Sequence, residues 1–305
     1  MNRWIKYAAL PALGLVALAA ATLLVGAQLG ERKMQRRVEV KVAPVALRNI
    51  DGGDNDSVAR GRYVFMSRGC TECHGVDGAG KTFVDDGKGT LLHAPNITPL
   101  PGGVVAAYTA DDWTRTIRHG VKPNGRPAIV MPSEDYARMN DNDLASLVAF
   151  LRQMPARPGP GATVQFPMPV KALYAFGVIK DAAERIDHTL APPAVTPDAP
   201  TAAHGAYLVN ACIGCHGATL SGGKIPGAPP DWPAAANLTP GEGSAMTRYA
   251  DAESFKAMLR TGKRPGGDAI STVMPFVSLK EFNDVDAQAL FLHLKTLSPK
   301  AAGNR

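Results

Sequence analysis

Cysteine is scarce in this chain: 305 residues hold four, and all four fall in two five-residue stretches, Cys70-Thr71-Glu72-Cys73-His74 and Cys212-Ile213-Gly214-Cys215-His216. No thiol is left over for a disulfide elsewhere, a catalytic nucleophile or a cysteine ligand contributed from a third site. Aromatic residues are also few, at 6%, so each core must be completed by something other than stacked rings. Broad basic surfaces are lacking too. The formal charge is +6, but residues 1–41 carry seven Lys/Arg against two Glu, which leaves 26 basic against 25 acidic residues in the rest. A polyanion-binding face is thereby excluded, and no nucleic-acid partner is expected; the basicity belongs to the N-terminal segment.

What is present is a C-x-x-C-H motif, twice. On a helical turn, positions i, i+3 and i+4 share one face, so two thiols can bond to haem vinyl groups while the following imidazole reaches the iron. This is the attachment signature of a c-type haem, and two copies imply two haem c groups bound through Cys70, Cys73, Cys212 and Cys215, with His74 and His216 on the irons. A zinc ribbon would pair its C-x-x-C elements about 15–20 residues apart. Here 138 residues separate Cys73 from Cys212. A dithiol redox pair has no use for the histidine. The porphyrin also accounts for the low aromatic content, because it supplies apolar surface of its own.

Arg3 and Lys6 precede an uncharged run from Ala8 to Ala27, 20 residues, enough for a helix of about 30 Å across a bilayer core. Residues 1–30 are read as a membrane anchor in preference to a cleaved signal segment, and residues 31–54 as an extended juxtamembrane stalk. Arg32, Lys33, Arg36 and Arg37 come after the run, so counting positive charges alone would place the remainder of the chain on the cytoplasmic side. The attachment motifs outweigh that count and imply export, with the basic cluster contacting anionic headgroups on the outer face. The polar stretch Asp51 to Asp56 predicts a helix N-cap at Asp56 or Ser57.

From there the chain repeats itself at an offset of about 142 residues. A G-x-Y pattern at Gly61 and Tyr63 returns at Gly205 and Tyr207, and Asn96-Ile97-Thr98-Pro99 returns as Asn237-Leu238-Thr239-Pro240. Arg118-His119-Gly120 matches Arg260-Thr261-Gly262, and Met131-Pro132 matches Met274-Pro275. Each copy ends in a helix with Asn140 or Asn283 as N-cap and an apolar stripe, Leu144, Leu147, Val148 and Leu151 in one, Ala287, Leu290, Phe291 and Leu294 in the other. Thr109 and Asp112 predict a capping box before Trp113, which, with Phe255, is read as a packing residue. Duplication gives domains at 55–157 and 202–299, joined by a Pro-rich linker, 158–201, and extended by a tail, 300–305. Apolar residues between Phe166 and Ile186 predict that the linker docks rather than swings free.

The sixth iron position separates carriers from enzymes. Met131 and Met274 occupy matched places and are each followed by proline, which holds Met extended in a rigid loop, so they are the candidate distal ligands. His93, His119 and His293 have no counterpart in the other copy and are read as ordinary histidines. Arg118 and Arg260 are matched guanidinium groups suited to haem propionates, or else solvated helix ends. Asn96 and Asn237 are candidates for the same propionates, with a plain turn as the alternative.

Taken together, the two C-x-x-C-H motifs, the N-[IL]-T-P stretches, the R-x-G turns and the M-P loops resemble tandem class I cytochrome c domains. The chain is similar to the membrane-anchored cytochrome c subunits of bacterial periplasmic alcohol, gluconate or aldehyde dehydrogenases. Those subunits often carry three haems, and this chain has motifs for two. The resemblance implies an all-α fold after an N-terminal transmembrane helix, His74 and His216 as proximal and Met131 and Met274 as distal ligands. It also implies haem domains in the periplasm, held at the inner membrane by contact with its lipid. Electrons would pass from a periplasmic dehydrogenase subunit to quinone, a terminal oxidase or a soluble cytochrome. The other reading is a dihaem enzyme of the peroxidase or thiosulfate-oxidising type, with one open or displaceable haem site.

Overall fold

A computed structural model describes residues 3–48, 54–229 and 231–305. The chain starts with α1 (Arg3–Met34), a continuous helix that contains Pro11 and is exposed to its surroundings from residue 11 to residue 22. By length and composition, its segment Pro11–Met34 is apolar enough to cross a membrane. The segment expected to be a stalk, 31–54, begins as the last turn of α1; beyond it the chain is extended but not free-standing. Val38 donates its N–H to the Gly125 carbonyl, and Val45 is buried in the first core with its N–H on the Thr114 hydroxyl. Of the polar stretch Asp51 to Asp56, residues 51–53 lie outside the described residues.

The first bundle contains α2 (Asn55–Ser67), the attachment turn α3 (Cys70–His74), a hairpin of β1 (Thr82–Asp85) and β2 (Leu91–His93), α4 (Ala110–His119), α5 (Ser133–Tyr136) and α6 (Asp141–Gln153). Asp54 caps α2 through the Ser57 N–H, ahead of the expected Asp56 or Ser57. The Thr109–Asp112 capping box forms as predicted, and Asn140 caps α6 through the Asp143 N–H. Gly61 explains its own recurrence. A Cβ there would stand 1.9 Å from the Ser146 carbonyl oxygen, so only glycine lets α2 cross α6 backbone to backbone. Trp113 and Ile117 from α4, with Leu144, Leu147 and Leu151 from α6, close the core.

The expected all-α class needs correction. Downstream of the bundle, β3 (Thr163–Gln165) pairs antiparallel with β2, and the resulting sheet has the order β1-β2-β3. The segments Thr82-Phe83-Val84 and Thr90-Leu91-Leu92 flank Asp86-Gly87-Lys88-Gly89, β-branched and apolar residues around a turn, and this signal yields to no helical period. The segment between the copies is likewise tied down. Helix α7 (Met168–Ala175) lies against α1, and α8 (Ala182–Arg185), capped by Asp181, sits beside α5. Arg36 makes two bonds to Asp181, 2.7 and 3.0 Å, and Lys33 pairs with Glu184 at 3.0 Å, so half of the basic cluster engages protein rather than headgroups.

The second bundle repeats the order of the helices, with α9 (Ala202–Leu208), α10 (Ile213–His216), α11 (Ala252–Thr261), α12 (Phe276–Leu279) and α13 (Asp284–Thr296). Gly205 repeats the role of Gly61, its place for a Cβ lying 2.0 Å from the Ala289 carbonyl oxygen. Phe255 is buried against Phe291, and Asn283 caps α13.

The two bundles exchange hydrogen bonds about a pseudo-twofold axis. Tyr63 donates its hydroxyl to Asp286 at 2.7 Å, and Tyr207 donates to Asp143 at 2.6 Å. Each hydroxyl also receives an N–H from the facing N-cap asparagine, Asn283 for Tyr63 and Asn140 for Tyr207. Both aspartates are buried and held from their own side as well, Asp143 by Arg60 and Asp286 by His204. Arg68 breaks the symmetry: it stands in a stretch two residues longer than its counterpart, 3.4 Å from Asp286 and over the Phe282 ring. Burial works against the charge on Asp286, yet Arg68 and the bonds from His204 and Tyr63 hold its carboxyl below the usual range.

Candidate functional site: two attachment turns and a shared seam

Each C-x-x-C-H motif is a single helical turn cut short by glycine. Gly75 and Gly217 come directly after the histidines with φ of 76° and 80°, values that favour glycine, and return their N–H groups to Thr71 and Ile213. The turn therefore cannot continue, and its i, i+3 and i+4 side chains stay on one face. His74 Nδ1 lies 2.9 Å from the Pro95 carbonyl oxygen, and His216 Nδ1 lies 2.8 Å from that of Ala236. A carbonyl only accepts, so Nδ1 carries the proton in both rings and Nε2 keeps its lone pair. Burial pushes both imidazoles below the ordinary histidine pKa and keeps them neutral, the state a metal requires.

Cys70, Cys73, His74 and Met131 line one cavity of about 410 Å³, walled by Phe65, Trp113, Ile117, Leu147 and other apolar side chains. A flat apolar macrocycle with polar edges suits such a space. Burial, first of all, pushes the thiols up, Cys70 and Cys212 to about 12 and Cys73 to about 11. They remain thiols, which disfavours thiolate metal binding or nucleophilic chemistry and suits covalent capture by a vinyl group. The residues present thus fit a covalently attached haem.

The M-P loops are built alike. Pro132 (φ −79°, ψ 61°) and Pro275 (φ −75°, ψ 69°) are the centres of inverse γ-turns in which Ser133 and Phe276 donate to the Met131 and Met274 carbonyls. Proline thus fixes where each thioether starts. Met131 is brought to the cavity of His74; Met274 is half-buried at the matching position of the second bundle.

The expected propionate residues go elsewhere. Arg118 is buried, with Nε on the Met139 carbonyl and Nη2 on Asp141, and is not part of the cavity wall. Arg260 pairs with Asp284 at the surface. Gly120 and Gly262 of the same R-x-G stretches are left-handed helix C-caps. Asn96 and Asn237 make the turn that was the alternative: each accepts from the N–H and hydroxyl of the threonine two residues on, and donates to the carbonyl of Arg157 or Lys300, where the chain leaves the last helix. The N-x-T pair is a clasp for the chain end. The cations at the cavity are instead Lys122 and Arg126, which form no ion pair among the described residues, and burial holds the Lys122 ammonium below the ordinary lysine pKa. His93 is also there, its Nδ1 on the Thr82 hydroxyl and its buried Nε2 without a protein partner. Lys122 recurs as Arg264 in matched turns, Lys122-Pro123-Asn124-Gly125 and Arg264-Pro265-Gly266-Gly267, whereas Arg126 and His93 have no like residue in the other copy. Arg305, at the end of the tail, caps the second turn by donating to the Cys215 and Gly214 carbonyls.

The turns also touch across the seam between bundles. Asp135 from α5 accepts the Gly214 N–H at 2.9 Å, and in the symmetric place the Ser278 hydroxyl of α12 donates to Glu72 at 3.3 Å. Burial, then the neighbouring Glu134, raises the Asp135 carboxyl to about 7. Its neighbour Tyr136 donates to the Arg68 carbonyl, two residues before Cys70. One bonded route therefore runs from the first attachment turn through Arg68, Tyr136 and Asp135 to the second.

The chain is similar to known proteins. Residues 58–155 match the family model described as cytochrome c. The chain is 28% identical over 274 residues to the fructose dehydrogenase cytochrome subunit of Gluconobacter japonicus, covering 80% of this chain and 53% of that protein. It is 28% identical over 285 residues to the gluconate 2-dehydrogenase cytochrome c subunit of Pantoea cypripedii, covering 83% and 62%. Over 115 residues it is 30% identical to a protein described as diheme cytochrome c-type from Cereibacter sphaeroides, covering 34% and 38%. Residues 58–155 are thus a cytochrome c domain, and the chain is homologous to the cytochrome c subunits of dehydrogenases. It spans between about half and three-fifths of the length of the two dehydrogenase subunits.

Proposed function

We propose that this chain is a dihaem electron-transfer protein, a subunit that takes electrons from a periplasmic dehydrogenase and passes them to quinone, a terminal oxidase or a soluble cytochrome. The observation that carries it is the duplicated imidazole: His74 and His216 each have Nδ1 on a backbone carbonyl and Nε2 free, on a turn that also presents two thiols. Bound haem supplies at each site a one-electron ferric/ferrous couple. The protein does the rest. Cys70, Cys73, Cys212 and Cys215 attach it; His74 and His216 present a neutral nitrogen; Met131 and Met274 offer thioethers that stabilise the reduced iron and raise its potential. Lys122, Arg126 and His93 replace Arg118 and Asn96 as the groups for the first pair of propionates.

The two bundles are two class I domains, and the route through Arg68, Tyr136 and Asp135 joins them by hydrogen bonds. Helix α1 is the anchor in the bacterial inner membrane, and the bundles stand in the periplasm, where c-type haem is attached. Homology to dehydrogenase cytochrome subunits supports a dehydrogenase as the donor. The test is an optical redox titration of the purified full chain. Two one-electron components of equal amplitude, both above the potentials of bis-histidine haems, are expected. A single component containing half the bound haem, with the other half inert, would contradict the reading.

A further inference from the structure

The segment downstream of the first bundle presents an apolar surface that neither bundle covers. Met168 and Leu173 on α7, and Phe176 and Val178 just after it, are 49%, 42%, 57% and 63% exposed. Their place is fixed by α1. A Cβ at Gly30 would lie 2.1 Å from the Lys171 carbonyl oxygen, and one at Gly26 would lie 2.9 Å from the Ala172 Cβ and 3.1 Å from the Phe176 ring. The spacing Gly26-x-x-x-Gly30 therefore lets α7 lie against α1 in backbone contact, with Phe176 level with the last turn of the uncharged run. Polar clamps prevent it from swinging away: Lys171 to Glu31 at 2.6 Å, Lys33 Nζ to the Tyr174 carbonyl at 2.9 Å, and the pairs of Arg36 with Asp181 and Glu184. Next to the patch in the chain, Lys180 is exposed and forms no ion pair among the described residues; Arg32, at the end of α1, is likewise exposed and without an ion pair among them.

We propose that α7 and the turn after it are a second membrane contact, a wedge whose Met168, Leu173, Phe176 and Val178 enter the boundary between headgroups and acyl chains in the leaflet from which α1 emerges. This rests on the reading of α1 as the anchor. Lipid is the occupant that the geometry favours, because the patch is continuous with the helix that lies in lipid, and a protein covering it would have to skirt that helix at bilayer level. An apolar patch with one aromatic ring, followed two residues after Val178 by the exposed Lys180, matches the chemistry of that boundary. The consequence reaches the haem site. Glu31, Met34 and Gln35, at the end of α1, line the first cavity, so the wedge sets that cavity against the membrane surface at a fixed angle.

Spin labels test this in the full, haem-loaded chain reconstituted in vesicles of phosphatidylcholine and phosphatidylglycerol. Single cysteines are introduced by Phe176→Cys, Val178→Cys, Leu18→Cys and Glu253→Cys, the native four being bound to haem. Collision with oxygen, relative to collision with a water-soluble nickel chelate, reports depth. Labels at 176 and 178 are expected to give a ratio several-fold above that at 253 and below that at 18. If 176 and 178 match 253 while 18 reads deep, the anchor stands and the wedge is wrong. If 18 reads as aqueous, the anchor reading fails and the wedge with it.

Discussion

At the scale of single residues, Met131 and Met274 separate a carrier from an enzyme. Met131→Ala should open one iron, so that half of the haem binds carbon monoxide and the potential of that haem falls while the other holds; an unchanged potential at both would remove Met131 from the ligand set. Asp135 makes a different prediction. Its carboxyl titrates at about 7 in the folded chain and at about 3.9 when unfolded, so the folded state holds the extra proton between those values. Stability from this group is therefore full below about pH 4 and is lost as pH rises to about 7, with a slope of at most about 1.4 kcal/mol per pH unit. Asp135→Asn keeps an acceptor for the Gly214 N–H and removes the titration. The urea midpoint of the variant should gain on that of the parent between pH 5 and pH 8, and a constant gap would contradict the assignment. Of the residues discussed, the cysteines and histidines were legible because their spacing is their chemistry. Arg126 and His93 were not, because what brings them to one cavity is the course of the chain rather than a pattern in it, and Lys122, which recurs as Arg264, was passed over although its turn repeats.

At the scale of elements, the first and last helices of each bundle meet at a glycine. Gly61→Ala would drive a methyl group into the Ser146 carbonyl, a backbone atom with no rotamer to offer. The expected cost is about 1–3 kcal/mol or more, read as a lowered thermal midpoint and reduced haem incorporation, with Gly205→Ala behaving likewise. A variant as stable as the parent would mean the helices do not cross there. The caps at Asn140 and Asn283 and the box at Thr109 were readable since each is a local contest between a side chain and a few orphan N–H groups. The G-x-Y repeat was visible as a pattern, but its meaning was not. Glycine serves its own bundle and tyrosine the other one, and no local rule links a residue to a partner more than 60 positions away. The hairpin of β1 and β2 escaped because two short strands around D-G-K-G carry little periodicity, and their third strand comes from a stretch that reads as linker.

At the scale of the whole molecule, the seam makes the two bundles one body. Asp286 receives Tyr63 and Arg68 from the first bundle and His204 from its own. Asp286→Ala leaves Arg68 buried without its partner, and the loss should be about 3–5 kcal/mol, measured by urea unfolding of the full chain. A loss under about 1 kcal/mol would mean that water reaches the seam. The recurring motifs were legible from the sequence, and how the two bundles face one another was not, because Tyr63, Tyr207 and the two buried aspartates each have an adequate local reading of their own.

The central claim, two haems with both sixth positions filled, is tested most directly by adding carbon monoxide to the reduced protein and comparing the bound fraction with total haem. The account predicts two haems per chain, neither binding carbon monoxide readily. One haem per chain, or carbon monoxide on half of the haem, would contradict it and bring assays with peroxide and thiosulfate ahead of any search for a dehydrogenase partner.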